Sequence, residues 1–314
     1  MDNLENKIMD INHNYYKFLL NLKNVNGIGF GFKEKNDLNT LEPCIHVLVE
    51  DKIDEKYLSK NNIIPKSYMG IKTDVIKAKK PKIRTDEIPY MFRPLEGGCV
   101  ISPNIKTKNT NRYLKGTLGC IVTKVIDGKK EFFILSNNHV LANTNEFPIG
   151  TPIIQPNKLN GGSDLDVVAS LYTFVPLNFI TETEEPINYM DAAIGKISNN
   201  SLISNEIYLL NNIMGVSKAT PTLAVKKVGF KTGLTKGRVV STGVTTNVTF
   251  SDNKEAHFQD QVYAKFINDD GDSGSVVLNR NNEVVGLFFA GIDKDAYFSD
   301  IDKVLSEFKV NIYI

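Results

Sequence analysis

Apolar side chains recur at helical spacing near the start of the chain. The members of this series are Leu4, Ile8, Ile11, Tyr15, Phe18, Leu19 and Leu22, each three or four positions from the next or directly beside it. The spacing predicts one amphipathic helix over residues 4–22, and we assign residues 1–24 to it. Because such a stripe is usually a packing surface, we expect it to dock on the protein's own core or on another subunit.

The next segment alternates glycine with large apolar residues and predicts a small α/β module over residues 25–80. Residues 27–32 read Gly-Ile-Gly-Phe-Gly-Phe without the helix that a phosphate-binding loop requires, so we predict a strand that leads into a hairpin. Residues 44–49 are its predicted partner strand. His46 lies inside that strand, and we interpret it as structural because nothing nearby in the sequence completes a metal site. Residues 81–95 form a linker whose basic run is typical of a solvated connector.

From residue 97 onward the pattern changes to short β-rich runs separated by turn residues. The runs are residues 119–123, 132–135, 152–154, 166–169, 239–242, 244–250, 262–266, 275–278 and 284–289. Strands at this spacing, without long helices between them, predict an antiparallel barrel or a pair of sandwiches. A helix closes the chain, with Ser299 and Asp302 as its predicted capping box and an apolar face at Ile301, Val304, Leu305 and Phe308.

Composition excludes several function classes. The 314 residues include 37 Lys and Arg against 36 Asp and Glu, a net charge of +1, so we expect neither nucleic acid nor a membrane surface as partner. No apolar run is long enough to span a membrane, and the polar N-terminus resembles no secretory signal. Cys44, Cys99 and Cys120 are scattered, which predicts free buried thiols in a reducing compartment. We therefore expect a cytoplasmic protein.

Three segments of the β-rich region carry candidate chemistry. Ser273 lies in Gly-Asp-Ser-Gly just before a predicted strand, where glycine allows a tight turn and backbone N–H groups can converge on an oxyanion. A serine nucleophile needs a base, and His139 stands at the end of an apolar strand. Asp191 precedes small apolar residues on a buried strand, where its carboxylate is costly unless an imidazole pairs with it. Asp164 and Asp166 also lie between base and nucleophile, but their surroundings predict a polar turn.

These segments resemble the trypsin/chymotrypsin-like serine peptidases. The order His139, Asp191, Ser273 is that family's order, residues 227–239 look like the hairpin that opens its second barrel, and residues 285–291 match the strand that pairs with substrate. The resemblance covers residues 96–314. It implies a mainly β fold of two six-stranded antiparallel β-barrels with a C-terminal helix, preceded by the N-terminal helix and the α/β module. Within that family, the chain resembles the intracellular bacterial trypsin-like peptidases that carry a small N-terminal module.

The resemblance implies a serine endopeptidase with a polypeptide substrate. Ser273 is the expected nucleophile, His139 the base and Asp191 its orienting acid, and the N–H groups of Gly271 and Ser273 form the oxyanion hole. We expect no metal and no organic cofactor. The expected substrate-binding residues are Ile267, Asp270, Phe289, Ala290 and Gly291.

Two alternatives remain, a catalytically silent peptide-binding or scaffold protein and an acyl transferase or hydrolase acting on non-peptide esters. Asp272, beside the nucleophile, needs a compensating partner. No activation cleavage sequence is visible, so either the site is preformed or the N-terminal module regulates it, and the N-terminal helix offers a surface for oligomerisation.

Overall fold

The computed structural model describes residues 2–35, 38–78, 90–250 and 253–314, and the chain divides into two compact units, Met1–Asp86 and Glu87–Ile314. The division falls inside the predicted linker over residues 81–95. Residues 79–89, which contain most of the basic run and the first part of the predicted linker, lie outside the described residues. The other predicted boundaries, at residues 24 and 80, stay predictions.

The first unit is a four-stranded sheet covered on one face by helices. The sheet order is β1-β2-β4-β3, in which β1 and β2 are antiparallel, β2 and β4 parallel, and β3 and β4 antiparallel. Its elements are α1 (Asp2–Asn14), α2 (Lys17–Leu20), β1 (Val25–Lys35), β2 (Leu38–Val49), 3₁₀ turns at Glu55–Tyr57 and Lys60–Asn62, β3 (Ser67–Tyr68) and β4 (Ile71–Lys77). The predicted glycine-containing strand and its hairpin partner are confirmed.

The single N-terminal helix predicted over residues 4–22 is wrong, because the helix breaks at Tyr15 and Tyr16. Asn14 and two consecutive tyrosines are weak helix formers, which favours a break at that position. The break shifts the phase of the stripe, so Tyr15 and Phe18 are exposed instead of buried. The residues that do pack on the sheet are Ile8, Ile11, Leu19 and Leu22, against Ile45, Val47, Val49 and Ile71.

The second unit begins with an antiparallel barrel. Six strand pairings connect its strands. Because β6 and β7 form one strand interrupted at Leu118 and Gly119, these pairings close a ring of six strands. These strands are β5 (Val100–Pro103), β6 (Gly116–Thr117), β7 (Cys120–Ile126), β8 (Lys129–Ser136), β9 (Pro152–Ile154), β10 (Val167–Phe174) and β12 (Ala193–Ile197). A one-turn helix, α3 (Asn138–Leu141), follows β8, and a short 3₁₀ turn (Lys158–Asn160) precedes β10.

A second ring of six antiparallel strands follows, in the order β16-β17-β18-β21-β20-β19 and back to β16. Its strands are β16 (Ala224–Gly229), β17 (Gly233–Thr249), β18 (Glu255–Lys265), β19 (Val276–Asn279), β20 (Glu283–Ile292) and β21 (Asp295–Asp300). Short strands and one more 3₁₀ turn complete the unit: β11 (Ile187–Asn188), the turn Asn200–Leu202, β13 (Glu206–Ile207), β14 (Asn211–Asn212), β15 (Gly215–Val216) and β22 (Asn311–Ile312). The two-barrel architecture and the predicted strands are confirmed, except that the runs 239–242 and 244–250, predicted as separate strands, belong to the single strand β17.

The two barrels share a hydrophobic core in addition to the core inside each one. Cys120, Leu135, Val228 and Val276 contribute to this shared cluster, so strands of both barrels pack directly on each other. Burial of an apolar side chain of this size contributes about 1.5–3 kcal/mol. The shared core therefore fixes the ends of β8 and β19 relative to each other, and the candidate catalytic residues lie at those ends.

The C-terminal helix α4 (Ile301–Phe308) packs on this shared core. Its apolar face is as predicted, with Ile301, Val304 and Phe308 buried and Leu305 partly buried. The predicted cap at Ser299 is wrong. Asp300 is the N-cap, and its carboxylate accepts the N–H groups of Asp302 and Lys303 at 2.9 and 3.3 Å. The hydroxyl of Ser299 is buried and donates to Gln261 instead.

Candidate active site

The register of β8 against β12 brings His139 and Asp191 together. Ala193 pairs with Ser136, so in this antiparallel pair the residues just beyond the strand ends, 191 and 138–139, face each other. The Nδ1 of His139 lies 2.5 Å from Oδ2 of Asp191, and the His139 backbone N–H donates to Oδ1 at 3.2 Å. The Asp191 side chain is fully buried, whereas that of His139 is 25% exposed. The buried carboxylate therefore fixes the imidazole orientation and leaves Nε2 as the ring nitrogen available for chemistry.

The loop around Asp191 is itself held by an asparagine that sequence reasoning did not single out. The side-chain amide of Asn137 donates to the Asp191 carbonyl at 2.7 Å, and Asn137 is fully buried. Phe250 of the second barrel packs edge-to-face on the His139 ring, with centroids 6.2 Å apart. Both barrels thus restrain the imidazole.

Ser273 lies on the turn between residues 269 and β19. Gly271 has φ 111° and Gly274 φ 95°, conformations that side-chain-bearing residues rarely adopt. A Cβ atom at Gly274 would lie 2.1 Å from Oγ of Ser136 and 2.2 Å from the Thr117 carbonyl oxygen, so glycine is required there for the barrels to approach. In the described part of the chain, the N–H groups of Gly271 and Ser273 have no hydrogen-bond acceptor. Two free donors thus flank the nucleophile candidate, as an oxyanion hole requires.

Thr117 of the first barrel ties this turn in place. Its N–H donates to the Ser273 carbonyl at 2.8 Å, and its hydroxyl donates to the Gly271 carbonyl at 2.8 Å. The Ser273 hydroxyl is directed to the Phe289 carbonyl, with an Oγ···O distance of 3.4 Å. This contact is long for a hydrogen bond between a hydroxyl and a carbonyl, so it holds the Ser273 side chain only weakly.

Asp272, between Gly271 and Ser273, has the compensating partner that the sequence required. Lys227 Nζ lies 2.8 Å from Oδ2, and both side chains are fully buried. The Thr232 hydroxyl donates to Oδ2 at 2.6 Å, while the N–H groups of Lys231 and Thr232 donate to Oδ1 at 3.0 and 2.9 Å. Burial lowers the pKa of Lys227, and the Asp272 carboxylate opposes that shift. All of these partners belong to the hairpin of β16 and β17 that the sequence had singled out as residues 227–239.

The predicted substrate-binding residues are divided between surface and interior. Ile267, Asp270 and Gly291 are exposed near the nucleophile turn, and Ala290 is half-buried. The Phe289 side chain is buried and stacks on Phe258, with centroids 4.8 Å apart, so only its backbone faces Ser273.

The competing acids lie in a turn of the first barrel, away from His139. Asp164 is exposed and pairs with Lys158, while Asp166 accepts the N–H and the hydroxyl of Ser163. The hydrogen bonds from Ser163 lower the pKa of Asp166. Both acids therefore have local structural partners, as the polar-turn interpretation predicted.

The three cysteines match the sequence expectation of free buried thiols. Cys44, Cys99 and Cys120 are free and buried. Among the described helices, none combines the length and hydropathy that crossing a membrane requires. Within the same residues, the side chains that could share a metal ion are Cys44, His46 and Asp74 of the first unit, and none of them belongs to the site around Ser273.

Comparisons with known proteins point to serine proteases. The family model for Peptidase S7, described as flavivirus NS3 serine protease, matches residues 260–302, which include Ser273. Solved structures similar to this chain include Thermobifida fusca protease A (16% identity, 69% of this chain and 97% of that one, TM-score 0.48) and a Nocardiopsis protease (14%, 70% and 98%, TM-score 0.49). A third is Cellulomonas bogoriensis chymotrypsin (14%, 69% and 97%, TM-score 0.46).

No curated protein matches the sequence significantly. The fold assignment rests on the strand topology, in which two closed rings of six antiparallel strands pack on a common core. This topology is the chymotrypsin-like fold, and the segment that the serine protease family model matches lies within it and includes Ser273.

Proposed function

We propose that this chain is a serine endopeptidase that cleaves polypeptides through an acyl-enzyme. The observation that carries the proposal is the hydrogen bond between His139 and the fully buried Asp191 carboxylate at 2.5 Å. A carboxylate buried at this position is stabilised by an imidazolium, which is the species that a general base becomes during catalysis.

In the proposed mechanism, the Ser273 hydroxyl rotates from the Phe289 carbonyl toward Nε2 of His139. As Oγ attacks the scissile carbonyl carbon, its proton passes to Nε2, and Asp191 stabilises the imidazolium. The carbonyl oxygen becomes an oxyanion that accepts hydrogen bonds from the free N–H groups of Gly271 and Ser273.

Collapse of this intermediate breaks the C–N bond and moves the proton from His139 to the leaving amine. Water then attacks the acyl-enzyme, again with His139 as base, and releases the acid product together with the Ser273 hydroxyl. The substrate backbone is proposed to pair with residues 289–291, next to the nucleophile, and Ile267 and Asp270 to contact its side chains.

The catalytic turn is proposed to be formed in the uncleaved chain. The Asp272 carboxylate of this turn is paired with Lys227 of the same barrel. The positive charge of an N-terminus released by cleavage is therefore not needed to neutralise it. We propose a cytoplasmic peptidase on the basis of its three free, buried thiols, which suit a reducing compartment. Regulation by residues 1–86 is part of this proposal. This regulation predicts that the second unit, once separated from residues 1–86, differs in kcat/KM from the full chain.

The test is covalent labelling of the full chain with a fluorophosphonate, followed by peptide mapping and cleavage profiling on a peptide library. We expect the label on Ser273, peptide turnover in the wild type, and neither in Ser273→Ala. Ser275→Ala is the matched control, because Ser275 is a fully buried serine two positions away. Folded wild-type protein that is neither labelled nor active on peptides would contradict the proposal.

A second candidate is a silent peptide-binding protein with the same fold. The observation that favours it is the direction of the Ser273 hydroxyl, which points to Phe289 and not to His139. Tight peptide binding without turnover would identify this function, and turnover of esters but not of peptides would identify the ester-specific alternative.

A further inference from the structure

Three side chains with metal-ligand chemistry meet on the face of the first unit's sheet that points away from its helices. Ile45 and Val47 of β2 pack against the helices, so Cys44 and His46, which alternate with them, project from the opposite face. In the parallel pairing of β2 with β4, His46 is directly opposite Asp74. A sulfur, a ring nitrogen and a carboxylate oxygen of these three residues all lie within 4.8 Å of one another.

The imidazole of His46 is oriented by a backbone carbonyl. Its Nε2 lies 3.0 Å from the Phe32 carbonyl oxygen, which can only accept, so Nε2 carries the proton and Nδ1 keeps its lone pair. Histidines that bind metal typically donate their other N–H to a carbonyl or carboxylate in this way. The ring also lies against β1, because a Cβ atom at Gly31 would come within 2.1 Å of it.

Asp74 is supported in the same manner. Its Oδ2 accepts the Glu34 N–H at 2.8 Å, and its Oδ1 is 3.7 Å from the ammonium of Lys33. The Asp74 side chain is only 16% exposed, whereas that of Lys33 is 36% exposed and its ammonium also donates to the Thr73 carbonyl at 3.3 Å. One cation already lies near this carboxylate, and a divalent cation would replace it there.

We propose that Cys44, His46 and Asp74 bind a zinc-type divalent cation. A thiolate together with an imidazole favours zinc over magnesium or calcium. Bonds of about 2.0–2.3 Å in a tetrahedral zinc site place neighbouring ligand atoms about 3.3–3.8 Å apart. Small side-chain rotations bring the three atoms to that spacing. On binding, the Cys44 thiol releases its proton to solvent, so thiolate and carboxylate balance the two positive charges. Water takes the fourth position.

The consequence is a metal bridge between β2 and β4. A cation bound only by the folded unit stabilises it in proportion to the logarithm of its concentration over Kd. This inference does not depend on the proposed peptidase activity, so Ser273→Ala is expected to bind the metal as the wild type does.

The test is a Co²⁺ titration of the full chain after removal of metals with a chelator. We expect one equivalent to bind, with a sulfur-to-cobalt charge-transfer band and the visible bands of a four-coordinate ion. In Cys44→Ser the charge-transfer band should vanish, and in Asp74→Asn the affinity should fall by about 100-fold or more. Cys120→Ser, which removes another buried free thiol, is the matched control and should keep the spectrum.

Lys33→Ala supplies a test in the opposite direction. Removal of the competing ammonium beside Asp74 should tighten Co²⁺ binding, a result that general destabilisation would not produce. If Cys44→Ser fails to fold by circular dichroism, Asp74→Asn and Lys33→Ala decide the matter. A folded wild type that binds no Co²⁺, or a charge-transfer band that persists in Cys44→Ser, would overturn the proposal.

Discussion

Replacement of Lys227 by methionine tests how the catalytic turn is held. Methionine keeps the unbranched apolar stem of lysine and removes only the ammonium that lies 2.8 Å from the Asp272 carboxylate. Both partners are fully buried, so water cannot take the place of the lost charge. Asp272 keeps the Thr232 hydroxyl and the N–H groups of Lys231 and Thr232 as donors.

The magnitude follows from burial. Removal of one partner of a buried ion pair costs about 3–5 kcal/mol, and the donors that remain on Asp272 place our expectation near 3 kcal/mol. Because Asp272 lies between the two proposed oxyanion donors, the unpaired charge also disorders Gly271 and Ser273. Loss of one such donor lowers kcat by about 10²–10³-fold, so we expect a fall in kcat of at least about 100-fold.

Urea unfolding measures the first effect, and steady-state kinetics on a peptide substrate, together with the rate of fluorophosphonate labelling, measures the second. Lys226→Met is the matched control, since Lys226 is the preceding residue of β16 and is only half-buried. In Lys227→Met/Asp272→Asn, which removes both charges, most of the stability should return. The reasoning is refuted if Lys227→Met unfolds within 1 kcal/mol of the wild type and is labelled at an unchanged rate.

Three further changes test separate parts of the molecule. Asp191→Asn should lower kcat by about 10⁴-fold with little change in KM, because the imidazole of His139 loses its orienting carboxylate. Asp166→Asn, the control, should leave the kinetics unchanged, and equal losses in both variants would be inconsistent with Asp191 as the orienting acid. Burial raises the pKa of the Cys120 thiol to about 12, so above an unfolded-state pKa near 9.0 the folded state keeps a proton that the unfolded state loses. The free energy of unfolding should therefore fall with rising pH, by about 1.4 kcal/mol per pH unit more in the wild type than in Cys120→Ala. Urea unfolding from pH 8 to pH 11 measures this difference. Asp300→Ala should cost about 1 kcal/mol of unfolding free energy through loss of the N-cap, and a change below 0.3 kcal/mol would show that the cap contributes nothing.

The strands of the barrels were predictable because their pattern is local. Runs such as residues 132–135 and 284–289 are apolar throughout, with turn residues at both ends, and they are buried strands in the structure. The N-terminal helix was less predictable. Its apolar spacing continues through Tyr15, but the helix breaks at Tyr15 and Tyr16, where helix propensity is weak, and periodicity does not report that weakness.

The cap of α4 shows a similar limit at the scale of one residue. Ser299 and Asp300 are both good N-cap residues, and the sequence alone does not distinguish them. The choice is made by Gln261, a residue of β18 that binds the Ser299 hydroxyl and so keeps Ser299 in the strand. A distant residue therefore decides where the helix begins.

The candidate site was predictable where chemistry restricts the residue type, and unpredictable where pairing between distant strands decides. A nucleophile between glycines and an acid at a buried strand end are recognisable, because few other roles suit them. Lys227 and Asp74 carry no such signal, since lysine and aspartate are ordinary surface residues in sequence. What gives each of them a role is the register of strands far apart in the chain, β16 beside β19 for Lys227 and β2 beside β4 for Asp74. The sequence around His46 does not indicate a carboxylate near it, because the one that lies opposite it, Asp74, is on another strand.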